Sequence, residues 1–219
     1  MGFDWALADC PNSGFLAIIE DDLWHVSLAG RFGSYPPSDE NGFLTFAKSF
    51  HTTRLYQLIK DAQRVAEFTT YRYPMAVRRH YEGLGSFPEG FVVLGDAIAS
   101  YNPVYGQGMS VAALQVQAFQ ELLAERAAEG HGFAGLAMSF FPKAAAIAGN
   151  AWKLAANLDL VYLQTKGERP PDLRAQLSYF AAVDALSIED VEIQRLMIEV
   201  NSLCKPVSIL NEEPLRSRV

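Results

Sequence analysis

The clearest structural pattern in this chain lies in residues 90–115, which read GFVVLGDAIASYNPVYGQGMSVAALQ. Its first part, GFVVLGDA, is a short apolar run between glycines, which is typical of a β-strand covered on both faces. A loop containing Pro103, Gly106 and Gly108 follows. Residues 109–128 contain neither proline nor glycine and are rich in Ala, Leu, Gln and Glu, so they predict a long helix. We therefore expect a strand, a loop and a helix to meet at one point.

The residues around this meeting point are suited to binding a ligand. In open α/β sheets ligands lie beyond the carboxyl ends of the strands, so Asp96 is placed to offer its carboxylate to a ligand hydroxyl. Gly95 would let that ligand approach, and Gly106 and Gly108 let the loop turn tightly. The start of the helix presents unpaired N–H groups and a partial positive charge of about half a unit. Such a helix end attracts anionic or electron-rich groups.

The run GDAIASYNPVYGQGMSVAA, residues 95–113, closely resembles the second flavin-binding motif of the class A FAD-dependent monooxygenases. This group of aromatic hydroxylases is similar to squalene epoxidases, flavin halogenases and geranylgeranyl reductases. The resemblance implies that Asp96 binds a ribityl hydroxyl and that the N–H groups of Met109 and Ser110 bind the flavin O2. Family members usually have Asn at the position of Ser110, so only the backbone part of that contact is expected. The cofactor-binding residues implied are Gly95, Asp96, Pro103, Gly106, Gly108, Met109 and Ser110.

The segment upstream supports the same resemblance. The run TYRYPMAVRRHYE, residues 70–82, is similar to the segment that leads from the substrate sheet back into the FAD domain. Within it, Arg78, Arg79 and His80 are interpreted as solvated or salt-bridged residues at a strand end, outside the site.

The chain contains no GxGxxG fingerprint between a strand and a helix. In the family that fingerprint is N-terminal and holds the FAD pyrophosphate and adenosine. The sequence is therefore expected to correspond to the C-terminal portion of such a protein, with the N-terminal Rossmann half missing. We expect the 219-residue chain alone to be inactive and to bind FAD weakly or not at all.

The resemblance implies an FAD-dependent oxidoreductase, foremost a monooxygenase or hydroxylase that acts on a small or hydrophobic organic substrate and takes electrons from NAD(P)H. A flavin-dependent reductase, epoxidase or halogenase remains an alternative, because the Gly-Asp motif is shared. A non-catalytic fragment or interaction module with an incomplete flavin site is a further alternative. No catalytic residue is identified from the sequence.

The remaining sequence predicts an α+β fold in three segments. Residues 1–75 carry an antiparallel substrate-side sheet and two short helices; residues 76–130 form the FAD-binding element; residues 131–219 are helical. Strands are expected at 3–9, 14–20, 23–30, 66–74, 76–82 and 90–97. Helices are expected at 43–50, 53–63 (with Thr53 as N-cap), 109–128, 139–164, 172–186 and 188–203, with the last two separated at Ser187.

Composition and spacing exclude several classes of protein. The net charge of −7 and pI of about 5.1 leave no basic field for nucleic acid. The most apolar window, residues 133–152, contains Pro142 and Lys143 and fits a membrane span poorly. The histidines share no metal spacing, and two isolated cysteines indicate neither a metal site nor a disulfide. Without a signal for export, we expect a cytoplasmic protein.

Overall fold

The computed structural model describes residues 2–4 and 10–219. Two compact units are present: an N-terminal unit, which runs to Arg72 and includes Tyr162–Gln164, and a helical unit, which contains Tyr73–Val161 and Thr165–Val219. The predicted α+β class is confirmed, because small antiparallel sheets accompany six α-helices in the described part of the chain. In chain order the elements are β1 Gly2–Asp4, β2 Ser13–Ile18, β3 Trp24–Ala29, α1 Glu40–Lys48, α2 Arg54–Ile59, β4 Val77–Arg78, β5 Ala99–Ser100, α3 Gly108–Ala128, α4 Leu136–Asp159, α5 Leu173–Glu189 and α6 Val191–Asn201.

The N-terminal unit contains the predicted antiparallel meander. Strands β1, β2 and β3 pair in that order, and Leu16 of β2 lies opposite Val26 of β3. Of the first predicted strand, residues 3–9, only Phe3 and Asp4 lie within the described residues. Leu16 is buried, and Val26 and Leu28 pack against the same core, so one face of the sheet is covered as the alternation in β3 predicts.

Two helices cover that face of the sheet. The carboxylate of Asp39 accepts a hydrogen bond of 2.8 Å from the N–H of Gly42 and so caps the start of α1. Thr53 occupies the N-cap position of α2 as predicted, although its side chain makes no capping bond. Buried Leu55 and Ile59 of α2 join Leu16 in the core, which explains why this short helix is stable where it is.

Two predicted strands are wrong, and a third is mostly wrong. Residues 66–74 carry no strand, and of residues 76–82 only β4 is a strand, paired with β5. The predicted strand at residues 90–97 is absent, because residues 91–94 form no strand, Gly95–Ala97 is a turn of 3₁₀-helix and Phe91 is 56% exposed. Apolar composition favours an extended backbone, but a strand exists only where a neighbour completes its hydrogen bonds. No other described segment pairs with residues 91–94.

The helical unit is built on the packing of α3 against α4. Alanines such as Ala144 and Ala148 are fully buried in α4, and their small side chains allow α3 and α4 to approach each other closely. Phe140 and Phe141 fill the remaining space. A smaller core around Val183 joins α5 to α6. The predicted segments 76–130 and 131–219 share this unit because α3 and α4 pack on each other across their border.

The border between the last two helices differs from the sequence expectation. Helix α5 continues through Ser187, whose hydroxyl donates to the carbonyl oxygen of Asp184 at 2.6 Å. The break falls at Asp190, whose carboxylate accepts hydrogen bonds from the N–H groups of Glu192 and Ile193 and caps α6. In the described residues, no helix combines the length and apolarity needed to cross a bilayer.

Candidate functional site

The Gly-Asp pair forms a tight turn at the entrance to β5. Gly95–Ala97 is one turn of 3₁₀-helix, closed by a 2.9 Å hydrogen bond from the N–H of Ile98 to the carbonyl oxygen of Gly95. Gly95 has φ of +58°, a left-handed conformation in which a side chain is strained. The turn leaves Asp96 exposed at the surface.

The Asp96 carboxylate faces the beginning of α3. A β-carbon placed on Gly108, the first residue of α3, would lie 3.8 Å from Oδ1 of Asp96. The two halves of the sequence motif, separated by a loop, are therefore adjacent in space. A carboxylate at this position is favoured by the positive end of the helix.

The N-terminus of α3 is open. Its N-cap residue, Gln107, makes no side-chain capping bond, and the first backbone bond of α3 runs from the N–H of Val111 to the carbonyl oxygen of Gln107 at 3.0 Å. The N–H groups of Gly108, Met109 and Ser110 precede that bond and have no acceptor within the helix. Met109 is 85% exposed, so a ligand could reach these donors from solvent.

The loop between the turn and α3 is held in place by polar contacts. Asn102 accepts a hydrogen bond of 3.2 Å from the N–H of Val104 and donates one of 3.1 Å to Asp159. Pro103 is exposed in this loop, and Gly106 ends it with φ of +67°. These contacts give the loop a defined shape.

The structure thus brings together part of the predicted site. Asp96 and Gly108 are neighbours, and Met109 and Ser110 follow in the same helical turn. Pro103 and Gly106 lie in the preceding loop, and the described contacts do not join either of them to Asp96.

Two residues that position the turn were not predicted as site residues. Nη1 of Arg79 donates to the carbonyl oxygens of Asp96 and Ala97 at 3.3 and 3.4 Å. The side chain of Gln115 accepts a 2.7 Å hydrogen bond from the N–H of Gly95. From its sequence pattern Arg79 is expected to be a solvated or salt-bridged residue outside the site. A polar Gln within the apolar pattern of α3 was a signal that could have identified Gln115.

Tyr101 lies close enough to the turn to respond to its charge. Burial raises the pKa of Tyr101 to about 12, Arg78 opposes this shift, and the Asp96 carboxylate adds to it. The phenolic hydroxyl donates to the carbonyl oxygen of Ala148 at 3.1 Å. Tyr101 is therefore a neutral, hydrogen-bonded core residue at ordinary pH.

A cleft of about 380 Å³ lies elsewhere in the helical unit. It is lined mainly by apolar side chains, among them Phe87, Phe91, Phe119 and Met138, and none of the seven predicted cofactor residues lines it. Over residues 2–4 and 10–219, no three His, Cys, Asp or Glu side chains are arranged to share a metal ion.

Comparison with known proteins finds a similarity to part of a longer protein. No protein-family profile matches the chain. Protein Rv3254 of Mycobacterium tuberculosis is 31% identical over 107 residues, which make up 49% of this chain and 23% of that protein. The chain thus matches about a quarter of the length of this curated relative.

Proposed function

We propose that the Gly95–Ala97 turn and the N-terminus of α3 bind the ribityl chain and isoalloxazine ring of FAD. On this proposal the chain is the C-terminal part of a cytoplasmic FAD-dependent oxidoreductase, a monooxygenase acting on a small or hydrophobic organic substrate. The observation that carries the proposal is the Asp96 carboxylate beside Gly108, at a helix start whose N-cap residue, Gln107, makes no side-chain capping bond.

The groups present fit this part of the cofactor. A ribityl chain offers hydroxyl donors, for which the exposed Asp96 carboxylate is an acceptor. The pyrimidine end of the ring offers a carbonyl acceptor, for which the N–H groups of Met109 and Ser110 are donors. The helix dipole favours a ligand that gains negative charge at that end. Acceptor and donors lie side by side, as a ligand carrying both kinds of group requires.

The chain's own residues would bind and orient the cofactor. FAD, when bound, supplies the redox chemistry, with NAD(P)H as the electron donor and oxygen as the co-substrate. Pro103 and Val104, in the fixed loop before α3, would border the face of the ring on which the substrate lies. Reductases, epoxidases and halogenases share the motif, so the motif does not distinguish them from a monooxygenase. The substrate class separates these alternatives.

A further polypeptide segment would complete the cofactor site. The chain lacks the glycine fingerprint that binds a pyrophosphate. Residues 91–94 are apolar and unpaired, and Phe91 and Leu94 are 56% and 37% exposed, which supports coverage by such a segment. The match to only 23% of a longer relative is consistent with this arrangement.

An NMR titration of the isolated chain with riboflavin, FAD and ADP tests the proposal. Riboflavin and FAD should shift the amide signals of Met109 and Ser110 with similar dissociation constants of about 1 mM, because only the ring and ribityl chain find partners. ADP should leave these signals unchanged. Shifts caused by FAD and ADP but not by riboflavin would contradict the proposal.

The matched variant is Asp96→Asn, with Asp184→Asn on the exposed surface of α5 as control. Replacing the carboxylate removes the strong, charged acceptor for the ribityl hydroxyl and should weaken riboflavin binding about tenfold. The control should bind as the wild type does. Equal riboflavin affinity in Asp96→Asn and the wild type would rule out the ribityl role.

A further inference from the structure

Gln115 is a polar side chain in an apolar place. It is fully buried in α3, on the same face as buried Val111 and Leu122. Both ends of its amide are used. Oε1 accepts a hydrogen bond of 2.7 Å from the N–H of Gly95, and Nε2 donates one of 3.4 Å to the carbonyl oxygen of Ala144 in α4.

These partners fix the orientation of the amide. A backbone N–H only donates and a carbonyl oxygen only accepts, so Oε1 faces Gly95 and Nε2 faces Ala144. The side chain thereby sets the separation between the turn, α3 and α4. An apolar residue could fill the same space, but it could not accept the hydrogen bond from the Gly95 N–H and so would not orient the turn.

The Gly95 turn packs closely against α3, and an anchor is needed to hold it there. Gly95 adopts a left-handed conformation, and a β-carbon there would lie 3.6 Å from Cβ of Ala112, so the turn approaches α3 closely. From the solvent side, Arg79 holds the carbonyl oxygens of Asp96 and Ala97. Gln115 holds the same turn from the inside.

We propose that Gln115 is a positioning residue, which anchors the Gly95 turn so that the Asp96 carboxylate stands at the N-terminus of α3. Its consequence for ligand binding rests on the flavin site proposed above. Gln115 itself, being buried, would not touch the ligand.

The first test compares the wild type with Gln115→Met, which keeps a similar volume but removes both hydrogen bonds. Hydrogen exchange at the Gly95 amide should become at least about tenfold faster, since its buried acceptor is lost. Riboflavin binding, followed at the Met109 and Ser110 amides, should weaken by about fivefold or more.

The second test uses Gln115→Glu and pH. A protonated Glu can accept from Gly95 and donate to Ala144, whereas an ionised Glu faces the Ala144 carbonyl oxygen with a negative charge. Burial should raise the pKa of this introduced carboxyl. The Gly95 amide shift should therefore be native-like at low pH and change as pH rises, while the wild-type signal should not follow this titration.

The outcomes separate the two proposals. Unchanged Gly95 exchange in Gln115→Met, or a Gln115→Glu signal that does not titrate, would overturn the anchoring role. Normal riboflavin binding by Gln115→Met with a freed Gly95 amide would overturn the positioning role alone. No riboflavin response in the wild type would overturn the flavin site itself, and with it the ligand part of this inference. If Gln115→Met does not fold, the Gln115→Glu titration decides the anchoring role.

Discussion

The phenolic oxygen of Tyr105 donates a 2.7 Å hydrogen bond to Oδ1 of Asp159, and so ties the loop before α3 to the last residue of α4. The same carboxylate accepts from Asn102, and the main-chain carbonyl oxygen of Asp159 accepts from the hydroxyl of Thr165 at 2.6 Å. One residue at a helix end therefore fixes the loop that leads into the candidate site.

Asp159→Ala should destabilise the protein by about 1–3 kcal/mol, because the partly buried donors of Tyr105 and Asn102 lose their acceptor. Tyr105→Phe, which leaves the carboxylate bound to Asn102, should cost about 1 kcal/mol. Urea unfolding measures both, with Tyr71→Phe at an exposed position as control. A Tyr105→Phe protein as stable as the wild type would show that the bond does not hold the loop.

Gly106→Ala should lower the free energy of unfolding by about 1 kcal/mol. The reason is conformational: φ at Gly106 is +67°, and no atom lies within 4 Å of an added β-carbon, so there is no clash. Gly85→Ala is the matched control, since Gly85 also has open space but no positive φ. The urea midpoint should fall for Gly106→Ala only. Equal shifts in both variants would contradict this explanation.

The identity of residue 110 should tune flavin affinity. Ser110→Asn adds a side-chain amide donor beside the free N–H groups of α3 and should tighten riboflavin binding about threefold to tenfold. Ser110→Ala keeps the backbone donor and should stay within about twofold of the wild type. The NMR titration described above measures both. A large loss in Ser110→Ala would show that the hydroxyl, rather than the backbone, makes the contact.

Local features explain which elements were predictable. Helix α3 begins at Gly108, one residue before the predicted start. It was predictable because residues 109–128 form a 20-residue run without Gly or Pro, which favours a helix. The meander of β2 and β3 was predictable from its turn residues and from the alternation of apolar and polar residues, which are also local signals. Asp96, Gly108, Met109 and Ser110 came from a contiguous motif, and the structure places them together.

Features that depend on distant partners were not predictable from local sequence. Residues 91–94 have strand composition but no neighbour to pair with in the described chain. Gln115 and Arg79 contact the turn across 20 and 17 residues. The polar Gln in the apolar pattern of α3 marks Gln115 as unusual, but no local pattern specifies which distant residue either side chain contacts. Ser187 looked like a helix break, yet its hydroxyl bonds back to Asp184, and the capping geometry of Asp190 decides the border.

That border gives a prediction on pH. A hydrogen bond from Arg218, with those from the N–H groups of Ile193 and Glu192, lowers the pKa of Asp190 below its ordinary 3.8. A carboxyl whose pKa is depressed by folding stabilises the folded state above its unfolded pKa and loses that effect as pH falls. The urea midpoint should therefore drop below about pH 4, and less so in Asp190→Asn. Parallel profiles for the two proteins would contradict the capping role.

The hydroxyl of Tyr101 should produce the opposite dependence at alkaline pH. Its pKa is raised from 10.0 to about 12, chiefly by burial, so the unfolded chain ionises first as pH rises. Stability from this group is complete below pH 10 and is lost progressively between about pH 10 and 12. The difference between wild type and Tyr101→Phe in unfolding free energy should shrink over that interval.

Because the Asp96 carboxylate contributes to the raised pKa, Asp96→Asn should lower the alkaline titration midpoint of Tyr101, measured by ultraviolet absorbance against Tyr101→Phe. An unchanged midpoint would show that the Asp96 charge does not act on the Tyr101 hydroxyl.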